Sequence, residues 1–192
     1  MKNWLASDLS FNSLYPDAIR EAADKHWTRI EVAKKAAEFL AISSEAKVLD
    51  IGSGAGKFCI VAAHEYPKTH FFGVEQRQNL VDISNGLAKE FNLHNVSFIC
   101  DNICNIDFRK FDHFYFYNSF YENVPGTQKI DYAIKYSEDL YNFYNRYLYK
   151  QLNKKQAGTR LVTYHSFGSE IPPGYEVVQT DYSDFLKFWI KV

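Results

Sequence analysis

The residues best equipped for chemistry lie in Val48-Leu49-Asp50-Ile51-Gly52-Ser53-Gly54-Ala55-Gly56-Lys57-Phe58, read together with Glu75. A short apolar run carrying one acid reads as a buried parallel strand. Three glycines at alternate positions follow, then Phe58-Cys59-Ile60-Val61-Ala62-Ala63, which suits a buried helix. A strand that turns into a helix over glycines brings peptide N–H groups up to a ligand, because no Cβ stands in the way. Two carboxylates flank this bend, so the ligand it suits carries positive charge.

Three nucleotide readings compete for the bend. A phosphate-cradling loop needs Gly-x-x-x-x-Gly-Lys followed by Ser or Thr. Here Phe58 has no hydroxyl and Ile51 stands where the first Gly belongs, so that reading fails. A dinucleotide fingerprint, Gly-x-Gly-x-x-Gly, would have its third Gly one residue later, and Asp50 would oppose a pyrophosphate. S-adenosylmethionine has an ammonium, a sulfonium and an uncharged ribose, and it suits the charges better. His70-Phe71-Phe72-Gly73-Val74-Glu75 reads as a second strand, whose terminal acid can accept hydrogen bonds from both ribose hydroxyls.

These motifs resemble the class I S-adenosylmethionine-dependent methyltransferases over residues 48 to about 165. Asp50 to Gly56 matches the family's first motif, and Glu75 matches its second-strand acid. Asn118-Ser119-Phe120-Tyr121 resembles the Asn/Asp-Pro-Pro-Tyr/Phe motif of amino-group methyltransferases, with both prolines replaced. Gly73-Val74-Glu75 and Asn118-Ser119-Phe120 also resemble the non-SET histone-lysine methyltransferases. The resemblance implies cofactor contacts from Asp50, Gly52, Ser53, Gly54, Gly56, Glu75 and Gln76. It implies adenine contacts from Asp101, Asn102 and Ile103, where the bland alternative is an Asx turn. Asn118 would touch cofactor and acceptor, Tyr121 would wall the acceptor, and Glu122 or His165 would take a proton through water. No metal is implied.

The elements that position these residues follow from periodicity. The expected fold is α/β: a Rossmann-like, mostly parallel seven-stranded sheet with a C-terminal antiparallel hairpin. A single domain is expected over 1–192, with a helical N-terminal extension over 1–46 and the sheet core over 47–192. Residues 1–13 have no clear period and read as a loose arm, and a helical stretch runs from Asp17 to about Lys25. Thr28-Arg29-Ile30-Glu31 reads as a capping box, with Trp27 as its hydrophobic staple or as a cover of the cofactor pocket. Ile30, Ala33, Ala37 and Leu40 form one stripe. Helices are expected over 57–66 and 79–91, and strands over 95–101, 111–117 and 160–165. The seven residues 104–110 leave no room for a crossover helix before the fourth strand. Residues 131–152 read as a helix with Tyr132, Tyr136, Leu140, Phe143 and Tyr147 on its packed face. Residues 175–180 and 185–192 read as the closing hairpin.

Composition narrows the partners. The chain has 192 residues and a formal net charge of −1, so no basic field advertises RNA or DNA, and nucleic acid is an unlikely acceptor on this count. The apolar runs are far short of a membrane span. Cys59 and Cys100 read as buried small hydrophobes of a reducing compartment, and the protein is expected in the cytoplasm. The 14 Tyr and 16 Phe serve core packing or line an acceptor pocket. The expected activity is methyl transfer to a nucleophile, a nitrogen on a protein or small amine. The rivals are an NAD(P)-dependent oxidoreductase and a non-catalytic cofactor-binding module.

Overall fold

The computed structural model describes residues 4–21 and 27–192. Among them seven strands make one sheet: β1 (Lys47–Ile51), β2 (His70–Glu75), β3 (Val96–Cys100), β4 (His113–Phe116), β5 (Arg160–Tyr164), β6 (Tyr175–Asp181) and β7 (Leu186–Lys191). Their order is β3-β2-β1-β4-β5-β7-β6. The first five run parallel, and β7 is antiparallel to both β5 and β6. This is the sheet and hairpin expected from the sequence.

The helices are α1 (Asp8–Asn12), α2 (Asp17–Arg20), α3 (Ile30–Leu40), α4 (Lys57–Glu65), α5 (Gln78–Glu90) and α6 (Glu138–Asn153). Alternation along β1 divides the core. Val48 packs with α3 and α4 on one face, while Leu49 and Ile51 pack under α6 on the other. The α3 stripe of Ile30, Ala33, Ala37 and Leu40 is buried as its spacing predicts. Between β3 and β4 the chain makes only two 3-10 turns, Ile103–Asn105 and Phe108–Lys110. Strand β1 has β2 on one side and β4 on the other, so the strand order reverses there. Crevices at such reversals, beyond the carboxyl ends of the strands, are where open α/β sheets take ligands.

Several local expectations give way to tertiary contacts. The described part of the arm, residues 4–13, is packed on the core, where the sequence predicts a mobile or loosely docked segment: Phe11 is fully buried and Trp4 stacks on Phe91 at 4.3 Å. The capping box does not form. The Thr28 hydroxyl pairs with Tyr115 Oη at 2.9 Å, Arg29 is the N-cap, and Ile30 N donates to Asp8 Oδ1 at 3.0 Å. Helix α2 covers only Asp17–Arg20, and residues 22–26 lie outside the described residues. Helix α6 starts at Glu138, after the N-cap Ser137 whose hydroxyl accepts from Leu140 N, and it buries Tyr144, Leu148 and Leu152. Of the expected packed face, Leu140 and Tyr147 do pack against the core, Phe143 is exposed, and Tyr132 and Tyr136 precede the helix. Cys100 is exposed on the sheet edge, whereas Cys59 is buried. His113, at the start of β4, is buried, and its Nδ1 accepts from Arg160 N at 3.0 Å.

Candidate functional site

The bend after β1 is built from glycines with different duties. Gly52, Gly54 and Gly56 all have positive φ, at 75°, 53° and 79°. A Cβ on Gly52 would stand 2.4 Å from Ser119 Cβ, and one on Gly56 would stand 2.7 Å from the Phe98 ring. Those two glycines permit close packing. A Cβ on Gly54 would meet nothing within 4 Å, so Gly54 faces open space at the crevice. Ser53 turns its hydroxyl into the room left by Gly73, where Oγ is buried without a hydrogen-bond partner.

Both acids reach the bend. Asp50 is buried, and it receives the Cys59 thiol at 3.6 Å. Burial pushes its carboxyl up to about 8; the Cys59 hydrogen bond opposes this and the nearby Glu75 charge adds to it. Glu75 points at the glycines, and its Oε2 accepts from Gly54 N at 3.2 Å. Its Oε1 accepts from Gln76 N, Arg77 N and Arg77 Nη1 at 2.8, 3.0 and 3.1 Å.

Asp101 and Ile103 follow β3 and line the same crevice. Asp101 Oδ1 accepts from Asn102 N at 2.7 Å, and the Asx turn at this strand end is made instead by Asn102, whose Oδ1 accepts from Cys104 N two residues on. Asn102 does not itself line the crevice but bonds to two residues, Gln76 and Tyr144, that do. Its side chain caps Cys104 N and donates to Gln76 Oε1 at 2.9 Å and Tyr144 Oη at 2.7 Å. Gln76 lines the crevice, whereas Gly56 does not.

At the end of β4, Asn118 has φ of 40°, a left-handed conformation that costs a non-glycine residue roughly 1–3 kcal/mol. Its carbonyl accepts from Tyr121 N at 3.0 Å, which swings the next residues over the crevice. Ser119, in place of a proline, donates its hydroxyl to the Ile51 carbonyl and fills the space above Gly52. His165, also at positive φ, stacks on Phe185 with ring centres 4.6 Å apart and on Tyr117 at 5.7 Å. Burial, aided by Arg29, lowers the pKa of His165 and keeps it neutral. Tyr121 leans on Phe167 at 5.7 Å. Glu122, considered as a proton acceptor, is engaged instead: Arg77 Nη2 lies 2.5 Å from its Oε2, and Tyr136 Oη lies 2.9 Å away.

These groups enclose one cavity of about 800 Å³, with Trp27 and Thr28 among its walls. The sequence model of a family described as a methyltransferase domain matches residues 42–166. The chain belongs to that methyltransferase family. A tRNA (guanine-N(7)-)-methyltransferase of Synechocystis sp. is 30% identical over 131 residues, covering 68% of this chain and 53% of that protein. Another of the same description from Synechococcus sp. is 49% identical over 55 residues, 29% of this chain and 23% of the relative. The chain therefore spans about half or less of the curated relatives it matches. An RNA methyltransferase from Salinibacter ruber in complex with S-adenosyl-L-homocysteine superimposes with TM-score 0.58 at 18% identity, covering 84% of this chain and 89% of that one. TrmN from Thermus thermophilus gives 0.62 at 16% identity, covering 91% and 52%. At such identities the structural likeness speaks for the fold.

The methyltransferase's cofactor is S-adenosylmethionine, and membership sets aside the NAD(P) reading. The residues present fit that molecule: a buried carboxyl at Asp50 with no cation bonded to it among the described residues, the open bend at Gly54, and the Glu75 oxygen beside it. The names of the relatives remove the support for treating nucleic acid as an unlikely acceptor. Among the described residues no helix is long and apolar enough to cross a membrane. Two residues of the methyltransferase site escaped the sequence reading. Lys57 is buried on the cavity wall, bonded to Asp8 Oδ1 at 2.5 Å and Asn12 Oδ1 at 2.9 Å. Burial lowers its pKa against the pull of Asp8. Its position after Gly56 is the signal, weighed only as a phosphate contact. Arg77, buried behind Glu75, has no sequence signal beyond its neighbourhood.

Proposed function

We propose that this methyltransferase acts, in the cytoplasm, on a ring nitrogen of a nucleobase in RNA. The observation that carries the reading is the aromatic vestibule beside Asn118. Tyr117, His165 and Phe185 stack in series on one side, and the Tyr121–Phe167 pair stands at the mouth. Such walls suit a flat ring, and stacking on aromatic side chains is worth about 1–3 kcal/mol per base. The names of the curated relatives point the same way.

In this reading Asp50 takes the cofactor's ammonium, Lys57 its carboxylate, Glu75 Oε2 its ribose, and Asp101 with Ile103 its adenine. Bound there, S-adenosylmethionine supplies an electrophilic methyl group. A ring nitrogen such as guanine N7 presents an in-plane lone pair and has no proton to lose. No general base is then required, which accords with Glu122 being held by Arg77. Asn118 and Tyr121 orient the ring, and the vestibule excludes water.

A second reading, methylation of an amine on a protein or small molecule, draws on the same tyrosines, whose faces attract a cation. The deciding experiment offers labelled S-adenosylmethionine with total RNA, with protein extract and with small amines, followed by mass spectrometry of the digests. Label in an RNA nucleoside, lost with Asn118→Ala, is expected. Label confined to protein or small amines overturns the RNA reading, and label nowhere favours a binding-only module.

A further inference from the structure

Arg77 is only 6% exposed, yet its guanidinium joins three stretches of chain. Nη1 donates to Glu75 at 3.1 Å, where β2 ends. Nη2 donates to Glu122 at 2.5 Å and to Tyr136 Oη at 2.6 Å, and Nε donates to Asp131 at 3.1 Å. Glu122 lies just beyond β4, on the acceptor side. Asp131 and Tyr136 belong to residues 124–137, a stretch without helix or strand that roofs the cavity through Gly126, Thr127, Ile130 and Ile134.

Two features argue that the cluster is more than scaffolding. Three carboxylates surround the buried Arg77, with the Lys129 ammonium as the second cation over the Tyr136 ring at 5.1 Å, and buried ion clusters stabilise folds poorly compared with apolar packing. Arg77 also completes the set of three donors on Glu75 Oε1, which leaves Oε2, beside Gly54, to face the cavity. The cation that orients the cofactor acid is therefore the cation that pins the roof.

We infer that Arg77 is a positioning residue that couples the grip of Glu75 on the cofactor's ribose to closure of the 124–137 roof. The inference rests on Glu75 being the ribose acceptor. A cofactor that locks Glu75 steadies Arg77, and Arg77 then holds Asp131 and Tyr136 down. Asp131 does not line the cavity, whereas Tyr136 does, so weakening the network at Asp131 should loosen a ligand that this residue does not touch.

S-adenosylhomocysteine serves as the probe. Stopped-flow release is measured for wild type, Tyr136→Phe, Asp131→Asn and Arg77→Lys, with thermal unfolding of each ligand-free protein alongside. Tyr136→Phe, which removes the hydroxyl's bonds to Arg77, Glu122 and the Asp131 carbonyl, and Asp131→Asn, which keeps an acceptor for Arg77 Nε but removes its charge, should each speed release by about tenfold. Their ligand-free unfolding temperatures should move by no more than a few degrees. Amide exchange over 124–137 should slow on adding the probe to wild type and not to Arg77→Lys, whose ammonium cannot span four partners. Release within twofold of wild type in both roof variants, or roof exchange indifferent to the probe, overturns the coupling. Glu75→Gln separates the two layers. If it binds the probe as wild type does, the ribose reading has failed, and the coupling with it. If it binds weakly while the roof variants behave as wild type, only the coupling has failed.

Discussion

The buried Asp50 carboxyl makes a quantitative demand on cofactor binding. With its pKa near 8, the ligand-free protein at pH 7 holds Asp50 protonated by about ten to one. In the proposed binding mode the ligand's ammonium meets Asp50 and requires its ionised form. Binding at pH 7 should therefore release close to one proton and carry a tenfold handicap, about 1.4 kcal/mol. Between pH 6 and pH 8 the ionised fraction rises from about one in a hundred to one half, and with half of the ligand's amine already deprotonated at pH 8 the affinity should tighten roughly twenty-fivefold. Above that range the ligand's own amine, ordinarily titrating near 8, loses its proton and affinity falls again. The expected profile is a bell with its maximum near pH 8. S-adenosylhomocysteine titrated by calorimetry, in buffers of differing ionisation enthalpy, reads both the dissociation constant and the proton count.

The stability of the ligand-free protein should move the opposite way. The folded-state pKa is raised above the ordinary 3.8, so the Asp50 contribution is full below that value and is lost as pH climbs through 8. Asp50→Asn removes this loss. It should match or exceed wild-type stability at pH 8 while binding the ligand weakly at every pH. A dissociation constant that varies less than threefold from pH 6 to 8, with no proton released, would refute the argument. It would mean that Asp50 is already ionised in the empty site, or that it does not meet the ammonium.

Other substitutions test the division of labour around the bend. Gly52→Ala puts a Cβ 2.4 Å from Ser119 Cβ at a positive φ, and should destabilise by at least about 2 kcal/mol in denaturant unfolding. Ser119→Gly in the same chain should recover part of that loss. Gly54→Ala meets no atom within 4 Å, so its cost to folding should be about 1–2 kcal/mol from the left-handed backbone alone. Its S-adenosylhomocysteine affinity should nevertheless fall at least tenfold, measured by calorimetry, because the added methyl enters the cavity. His113 is held neutral by burial, which lowers its pKa to about 4 against the pull of Asp112. Its contribution is full above pH 6.5 and is lost as pH falls toward 4, up to about 3 kcal/mol. His113→Asn keeps an acceptor for Arg160 N and should flatten that acid limb in chemical-denaturation series.

The parts of this site legible in the sequence are those whose causes are local. A glycine is needed where φ is positive, and an acid at a strand end lies at the crevice because the strand does, so Asp50, Gly54 and Glu75 could be read one residue at a time. Pairing between distant polar groups has no such signature. Lys57 finds Asp8, 49 residues back, and Arg77 finds Asp131 and Tyr136, 54 and 59 residues ahead. The Thr28 hydroxyl had a local partner available at Glu31 and took Tyr115, 87 residues away. A buried tyrosine hydroxyl left alone costs about 1–3 kcal/mol, whereas an exposed helix start can bond to water. The tertiary bond wins because its loss has no substitute. The same inequality explains His113, whose ring accepts the Arg160 N–H in the buried space between β4 and β5. A polar residue in a sequence is therefore read best by asking which distant buried donor would otherwise go unpaired. Where no unpaired donor can be named, as for Tyr132 at 88% exposure, the residue is left to solvent.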